Sequence, residues 1–314
     1  MSRPDAPASA PVACAAVGVH LGLDLGGTNA KCAVLDASLR VLATDARPNG
    51  AADGPEAVLE RVAELGRATA APFGEVVSAG LALPGHFDAD GCGVLLPNLP
   101  GDWVGRRIAG PVGERLGVPV RLVNDVRALT LAELRLGAGR GAADLVCIAL
   151  GTGVGGGVVI GGRVHLGLGH AGEIGHTTVD PDGPLCGCGN RGCLDRMAGA
   201  DAIAETAGRP SVAAAGAAAR AGDPAAIAAF ARAGEYVGRV LAGAIVLLWP
   251  ERVVVGGGVA EAGDVLLEPI RAEVRRRACV APVDAIPVVE AQLGARAGAV
   301  GAALWSLEAA AVAA

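Results

Sequence analysis

The chain has 314 residues, enough for two domains with separate hydrophobic cores. Its net charge of −6 and pI near 5.4 argue against a nucleic-acid partner, and no apolar run approaches the roughly 20 residues that span a bilayer. Eight cysteines without a recognisable signal peptide predict a reducing, cytoplasmic setting. Residues 1–16 are expected to form a disordered leader.

The first predicted elements are a strand at 17–25, a glycine-rich turn and a second strand at 30–36. Strand, turn, strand is typical of a hairpin. The backbone N–H groups of Gly26 and Gly27, the Thr28 hydroxyl and the Asp24 carboxylate also suit a phosphate and its Mg²⁺. A single turn of this kind is a weak indicator of phosphate binding.

The next predicted elements are a third strand at 39–43, a helix at 54–71, a strand at 75–83, a helix at 104–116, a strand at 118–123 and a helix at 126–136. Asn98 lies in the loop before the second helix, where its amide either caps a turn or binds a ligand. Asn124 and Asp125 end the strand and begin the third helix. Asp125 is therefore either a helix cap or a functional carboxylate, and position alone does not decide between the two.

The hairpin pattern occurs a second time, at 145–160. An apolar strand at 145–150 leads into a turn rich in glycine and a further strand at 158–160. The candidate phosphate contacts of this turn are Gly151, Thr152, Gly153 and Gly155. Two such turns in one chain predict two related halves, each with a phosphate-binding loop.

A cysteine cluster follows in residues 170–195, with Cys186, Cys188 and Cys193 preceded by His176. Three thiolates and one imidazole form a ligand set used by tetrahedral structural zinc. The alternative is a group of unligated cysteines in a flexible loop. Clustered cysteines without an export signal favour metal, and a closed set of four ligands predicts a structural site.

The last third of the chain is predicted to contain alanine-rich helices and two short strands. Asp223 and Pro224 are typical of a helix start, and that helix should extend to about residue 248. A strand at 252–255 ends in three glycines that suit a nucleotide: Gly256, Gly257 and Gly258. A helix to about 277, a strand at 286–290 and a helix at 294–313 complete the chain.

Seven short motifs occur in a fixed order: DLGGT (24–28), NLPGDW (98–103), VND (123–125), LGTGVGGG (150–157), GEIGH (172–176), CGCGNRGCLD (186–195) and VVVGGG (253–258). In these motifs the chain resembles the glucokinase-like sugar kinases of the ROK family (repressors, open reading frames and kinases). The resemblance implies an α/β, two-domain, actin-like ATPase (ribonuclease H-like) fold with a cleft between the domains. It also implies a small domain at 17–122, joined by helix 294–313, and a large domain at 123–293.

The resemblance assigns roles residue by residue. Asp125 corresponds to the general base for the 6-hydroxyl of a hexose. The other residues that correspond to sugar contacts are Asn98, Asn124, Glu173, His176 and Asp195. His176 would serve twice, with one ring nitrogen on zinc and the other facing the sugar. The two glycine turns correspond to phosphate loops and Gly256–Gly258 to an adenosine loop, for ATP with Mg²⁺.

Asp195 departs from the family pattern, which usually has glutamate there in contact with the sugar. Its shorter side chain leaves the acceptor open, with glucose as the default and an N-acetylhexosamine, another aldohexose or a C7-cyclitol as alternatives. Polyphosphate stays open as a donor. The rival class is a non-catalytic sugar sensor of the ROK type. The short, non-basic segment ahead of the first turn favours the kinase, with relatives suggesting a homodimer or homotetramer.

Overall fold

The computed structural model describes residues 18–96 and 98–313, so the predicted leader lies outside the described residues. The strands, in chain order, are β1 (Val19–Leu25), β2 (Asn29–Leu35), β3 (Val41–Pro48), β4 (Val76–Leu83), β5 (His86–Phe87), β6 (Gly93–Leu95), β7 (Val120–Asn124), β8 (Leu145–Leu150), β9 (Val154–Ile160), β10 (Arg163–Val164), β11 (Arg252–Gly256) and β12 (Val288–Glu290). The helices are α1 (Pro55–Ala70), α2 (Ala109–Leu116), α3 (Asp125–Leu136), α4 (Leu194–Ala198), α5 (Ala200–Thr206), α6 (Val212–Arg220), α7 (Pro224–Leu248), α8 (Asp264–Arg277) and α9 (Ala297–Ala313).

Two five-stranded sheets share one arrangement. The first has the strand order β3-β2-β1-β4-β7 and the second β10-β9-β8-β11-β12. In each sheet an antiparallel hairpin, β1–β2 or β8–β9, is followed by two parallel strands. The expectation of two related halves therefore has a structural counterpart. The domain boundaries placed at 122 and 293 remain predictions.

The C-terminal helix α9 lies directly on the first sheet. A Cβ added at Gly22 of β1 would lie 1.8 Å from the carbonyl oxygen of Ala299, and one added at Gly80 of β4 would lie 2.0 Å from that of Ala302. Glycine in the strands and alanine in the helix let the two backbones touch. Helix α9 thereby covers the first sheet.

A shared core connects the two sheets through α3 and α9. It contains buried apolar side chains from β2, α3, β8, β9, β11 and α9. At its edge the fully buried Glu133 carboxylate accepts hydrogen bonds from the backbone N–H groups of Ala138 (2.8 Å), Gln292 (3.1 Å) and Leu293 (2.8 Å). These three bonds satisfy the buried charge and join the end of α3 to the segment before α9.

Strand β3 extends to Pro48 instead of ending at 43, and two predicted starts were wrong for identifiable reasons. Helix α2 begins at Ala109 rather than at 104, because the preceding residues pair with the β6 region through the bridges Gly93–Val104 and Cys92–Arg107. Strand β9 begins at Val154 rather than at 158. Gly155 and Gly157 lie where α3 packs, and a Cβ at Gly157 would lie 2.1 Å from the Thr130 hydroxyl. Within the described residues, no helix is both long and apolar enough to cross a membrane.

Candidate active site

The site forms where β7 ends and α3 begins. The Asn124 side chain caps α3, and its Oδ1 accepts from the N–H groups of Val126 (3.1 Å) and Arg127 (3.2 Å). Its Nδ2 donates to the carbonyl of Gly85 at 3.4 Å, which joins the cap to the end of β4. The amide of Asn124 is therefore largely occupied in holding Asp125, the first residue of α3, in position.

Asp125 has the electrostatics of a general base. Burial, together with the negative charges of Asp24 and Glu173, raises the pKa of its carboxyl to about 6. The N–H of Val126 donates to its Oδ1 at 2.9 Å and acts in the opposite direction. A carboxylate with this pKa is ionised at neutral pH yet basic enough to accept a proton.

The first glycine turn, Gly26–Asn29, is held from several sides. The N–H of Gly26 donates to Asn29 O at 3.0 Å, and Asn49 Nδ2 donates to Gly26 O at 2.6 Å. A Cβ at Gly27 would lie 2.5 Å from the carbonyl oxygen of Asn98, so only glycine fits there. The exposed Asn98 has φ 68°, a left-handed conformation that asparagine tolerates. The loop that contains Asn98 thus lies on the first turn.

Asp24 is the penultimate residue of β1, beside this turn. Its side chain is 13% exposed, and Lys31 Nζ lies 3.6 Å from its Oδ2. Burial raises the pKa of Asp24, whereas the charge of Lys31 lowers it. Since Asp24 also contributes to the raised pKa of Asp125, the two carboxylates belong to one electrostatic group.

The second glycine turn, Gly151–Val154, follows β8. A third glycine run, Gly256–Gly258 at the end of β11, packs against the last residue of β8. Inside the turn, Gly151 N–H donates to Gly153 O at 2.8 Å. Gly257 has φ 86°, and a Cβ there would lie 2.2 Å from the carbonyl oxygen of Leu150. The structure therefore brings together two glycine runs that the sequence separates widely.

The predicted metal ligands converge. The ligand atoms of His176, Cys186, Cys188 and Cys193 all lie within 4.8 Å of one another. His176 Nδ1 is 3.6 Å from Cys186 Sγ, and Cys188 Sγ is 3.6 Å from Cys193 Sγ. Tetrahedral zinc, with Zn–S of about 2.3 Å and Zn–N of about 2.0 Å, requires separations of roughly 3.5–3.8 Å between ligand atoms. The donor set and its spacing fit zinc, and they leave His176 Nε2 outside the cluster.

Two histidines that the sequence analysis did not single out lie beside Glu173. His86 Nε2 is 3.9 Å from Glu173 Oε1, and the rings of His86 and His170 meet edge to face with centroids 4.6 Å apart. Burial lowers the pKa of His86. Arg127 Nη2 donates to Gly169 O at 2.6 Å and so holds the neighbouring loop against α3. The position of His86, just after the end of a parallel strand, was the available signal.

Asp195 points toward the second glycine turn. Its Oδ1 accepts from the N–H of Val154 at 2.7 Å, and a Cβ at Gly153 would lie 2.5 Å from the same oxygen. The carboxylate predicted to contact the sugar is therefore bonded to a backbone N–H. Whether it also contacts an acceptor stays a prediction, as do the roles assigned to the other residues of the site.

Comparison of the structure and sequence with those of known proteins identifies the family of this chain. A ROK family glucokinase from Streptomyces griseus, solved with glucose and AMPPNP, superposes with a TM-score of 0.80 at 34% identity, covering 93% of this chain and 100% of that one. The molecule thus has the two-domain actin-like ATPase fold. The ROK family model matches residues 20–309, and the chain belongs to the ROK family.

Curated relatives include kinases and a regulator. The glucokinase of Streptomyces coelicolor is 33% identical over 314 residues, covering 91% of this chain and 97% of the relative. The DNA-binding transcriptional repressor Mlc of Escherichia coli is 37% identical over 213 residues, covering 62% of this chain and 52% of the repressor. The predictions of the fold, the family and an ATP-dependent sugar kinase are confirmed by these matches.

Proposed function

We propose that the protein transfers the γ-phosphoryl group of ATP to the 6-hydroxyl of a hexose, with glucose as the preferred acceptor. The observation that carries this proposal is Asp125, a carboxylate with a pKa of about 6 at the start of α3. The glycine turn beside Asp24 adds backbone donors and a second carboxylate. Glucokinases that match nearly the whole chain support glucose as the substrate.

In the proposed reaction Asp125 accepts the proton of the 6-hydroxyl as its oxygen attacks the γ-phosphorus. The new O–P bond forms as the bond between the γ-phosphorus and the bridging oxygen breaks, and ADP leaves with that oxygen. Phosphoryl transfer depends mainly on positioning and charge neutralisation, so a fixed carboxylate and oriented backbone donors are sufficient protein parts.

The acceptor would lie between Asp125 and the loop that contains Glu173. Glu173 Oε1 and His176 Nε2 are the groups proposed to bind its hydroxyls, together with the exposed amide of Asn98. Asn124 contributes mainly by holding Asp125, because its amide already caps α3. Zinc bound by the Cys₃His cluster would fix the ring of His176 and supply structural stability.

The nucleotide would extend over the glycine runs. The first turn, through Gly26, Gly27 and Thr28, and the second turn, together with the adjoining Gly155, are proposed to bind the phosphates. The glycines at 256–258 are proposed to bind the adenosine. Mg²⁺ bound with ATP would supply charge neutralisation, and Asp24 is the proposed carboxylate near it. A cytoplasmic setting and a homodimeric or homotetrameric assembly also belong to this proposal.

The decisive experiment measures ADP release against a panel of glucose, mannose, N-acetylglucosamine, N-acetylmannosamine and a C7-cyclitol. ATP and polyphosphate serve as alternative donors, and Asp125→Asn is the inactive control. We expect ATP-dependent turnover with glucose. If sugars bind without turnover for any acceptor and donor, the sensor function suggested by the match to Mlc replaces the kinase.

A further inference from the structure

Both sides of the metal cluster contact the second glycine turn. Gly175 lies immediately before the ligand His176, and Asp195 lies two residues after the ligand Cys193. Each of these flanking residues contacts Val154, the last residue of the turn. The contacts involve both the N–H and the carbonyl of Val154, so its peptide groups are constrained on both sides.

The stronger contact is the hydrogen bond from Val154 N–H to Asp195 Oδ1, at 2.7 Å. A bond from a backbone N–H to a carboxylate is charge-assisted and stronger than a neutral one. Gly153 leaves the space for this carboxylate, because a Cβ there would lie 2.5 Å from Asp195 Oδ1. The side chain therefore lies in a fitted position against the turn.

The other contacts are between backbones. A Cβ at Gly175 would lie 1.8 Å from Val154 O, so only glycine permits this approach. On the other side of the cluster, Ala200 N–H donates to Gly151 O at 2.9 Å. Together with the Asp195 bond, these contacts hold the turn at its first and last residues.

The cluster itself connects the two flanks. Leu194 N–H donates to Thr177 O at 2.9 Å, and Val179 N–H donates to Gly192 O at 2.8 Å. Thr178 and Cys193 form an isolated antiparallel bridge. A metal ion bound to His176 and Cys193 would therefore fix the flanks relative to each other and, through them, the turn.

The second glycine turn has few internal interactions that would fix its conformation. Residues Gly151–Val154 contain no ionisable side chain, and one internal bond, from Gly151 N–H to Gly153 O, spans it at 2.8 Å. Backbone N–H groups bind a phosphate well only when neighbouring groups fix their orientation in advance. The orientation must then come from the residues packed against the turn.

We propose that Asp195 is a positioning residue for the second glycine turn, and that the metal cluster supports nucleotide binding through it. The inference rests on the proposed function, in which this turn binds the phosphates of ATP. Asp195 acts on the nucleotide side of the reaction, and the acceptor contacts are left to Asn98, Glu173 and His176.

The test compares Asp195→Ala with Asp195→Asn, which keeps an acceptor oxygen, and with Asp201→Ala, an exposed aspartate on the adjacent helix α5. For Asp195→Ala we expect the Kd for AMPPNP and the KM for ATP to rise about tenfold, with the acceptor KM within about twofold of the parent value. Asp195→Asn should fall between Asp195→Ala and the parent, because its bond to Val154 is neutral and weaker, and Asp201→Ala should resemble the parent. A rise in acceptor KM with unchanged nucleotide binding would overturn the proposal.

A second measurement does not depend on catalysis. Amide hydrogen exchange at Val154 should accelerate in Asp195→Ala and in the zinc-stripped protein, whereas exchange in the first glycine turn should not change. Unchanged exchange at Val154 in a folded Asp195→Ala variant overturns the inference, whatever the enzyme's activity. If the parent protein fails to transfer phosphate, the proposed function fails, and the exchange data still decide whether Asp195 and the metal hold the turn.

Discussion

The two glycine turns occupy equivalent positions in equivalent sheets. Each connects the hairpin strands at the centre of its sheet, with Leu25 paired to Ala30 in the first and Leu150 to Val154 in the second. One position before these pairs, Asp24 faces Lys31 in the first hairpin, whereas Ala149 faces Gly155 in the second. The first turn therefore has an ion pair beside it, and the equivalent place in the second is neutral.

The turns also differ in what holds them. Asn49, just beyond β3 in the same half, donates from its side chain to Gly26 O at 2.6 Å and from its backbone to Thr28 O at 2.9 Å. The second turn is held by Asp195, from the segment that contains the Cys₃His cluster. The first turn therefore has charged groups beside it, near Asp125, whereas the second turn is proposed to depend on metal for its support. The following predictions test this division.

The largest effect on turnover is expected at Asp125, on the side of the first glycine turn and its Asp24–Lys31 ion pair. Asp125→Asn should lower kcat about 10²- to 10⁴-fold, because general-base assistance is lost while the shape is kept. Circular dichroism should show an unchanged fold, and initial-rate measurements give kcat. Turnover near the parent value would remove Asp125 from the proposed mechanism.

Loss of the metal should affect the two halves unequally. Cys188→Ser or chelation should abolish one bound zinc per chain and lower the free energy of unfolding by several kcal/mol. The damage should concentrate in the second half, with faster amide exchange near Val154 and unchanged exchange near Gly26. Metal analysis and site-resolved exchange measure both effects. Cys279→Ser, a change at an exposed cysteine on another surface, is the matched control.

A pair of glycine substitutions tests the close contact in the first turn. Gly27→Ala should destabilise the protein by about 1–3 kcal/mol, because the new Cβ would lie 2.5 Å from Asn98 O and the loop must move. Gly258→Ala meets no atom within 4 Å and should be nearly neutral in stability. Urea unfolding compares the two. Equal stability of both variants would show that the Asn98 loop does not need its contact with the turn.

The smallest expected effect is on the pH dependence of kcat/KM. The value of kcat/KM should rise with pH and level off above about 6, because Asp125 must be ionised to accept a proton. Asp24→Asn should shift this midpoint downward, since the charge of Asp24 helps raise the pKa of Asp125. A midpoint that does not move would mean that the two carboxylates are not coupled.

The same pKa has a consequence for stability. The folded-state pKa of Asp125, about 6, lies above its ordinary value of 3.8, so its favourable contribution is present below that value and is lost as pH rises through 6. Asp125→Asn should therefore be more stable than the parent at pH 7.5, by about 1–2 kcal/mol after allowance for partial exposure, and equal to it near pH 4. Thermal unfolding at both pH values measures the difference.

Much of this architecture was predictable because it is encoded locally. Periodic apolar runs predicted most strands and helices, glycine turns predicted both hairpins, and ligand spacing predicted the Cys₃His cluster that the geometry brings together. Capping rules predicted the start of α7, where Asp223 Oδ1 accepts from Ala226 N–H at 2.8 Å. These features depend on residues close together in the chain.

The missed features depend on contacts between distant segments. The bond between Asp195 and Val154 joins residues 41 positions apart, and the pattern around Asp195 suggested a sugar contact. The rings of His86 and His170 are in contact, although the two residues lie in different segments, and no local sequence pattern predicts this contact. The glycines of β9 were assigned to a turn because the contacts that require glycine there come from distant segments: α3 packs against Gly155 and Gly157, and Gly172 lies against Gly156.

The packing of α9 on β1 and β4 also constrains the order in which the protein can mature. The ribosome releases the first sheet long before the helix at 297–313, and at about 5–20 residues per second the intervening chain takes on the order of 10 s or more to make. Throughout that interval the glycine-lined face of the sheet lacks its cover. Exposed apolar surface of this kind makes folding intermediates prone to aggregation, so the nascent first half is expected to be vulnerable until α9 has been made and packs on it.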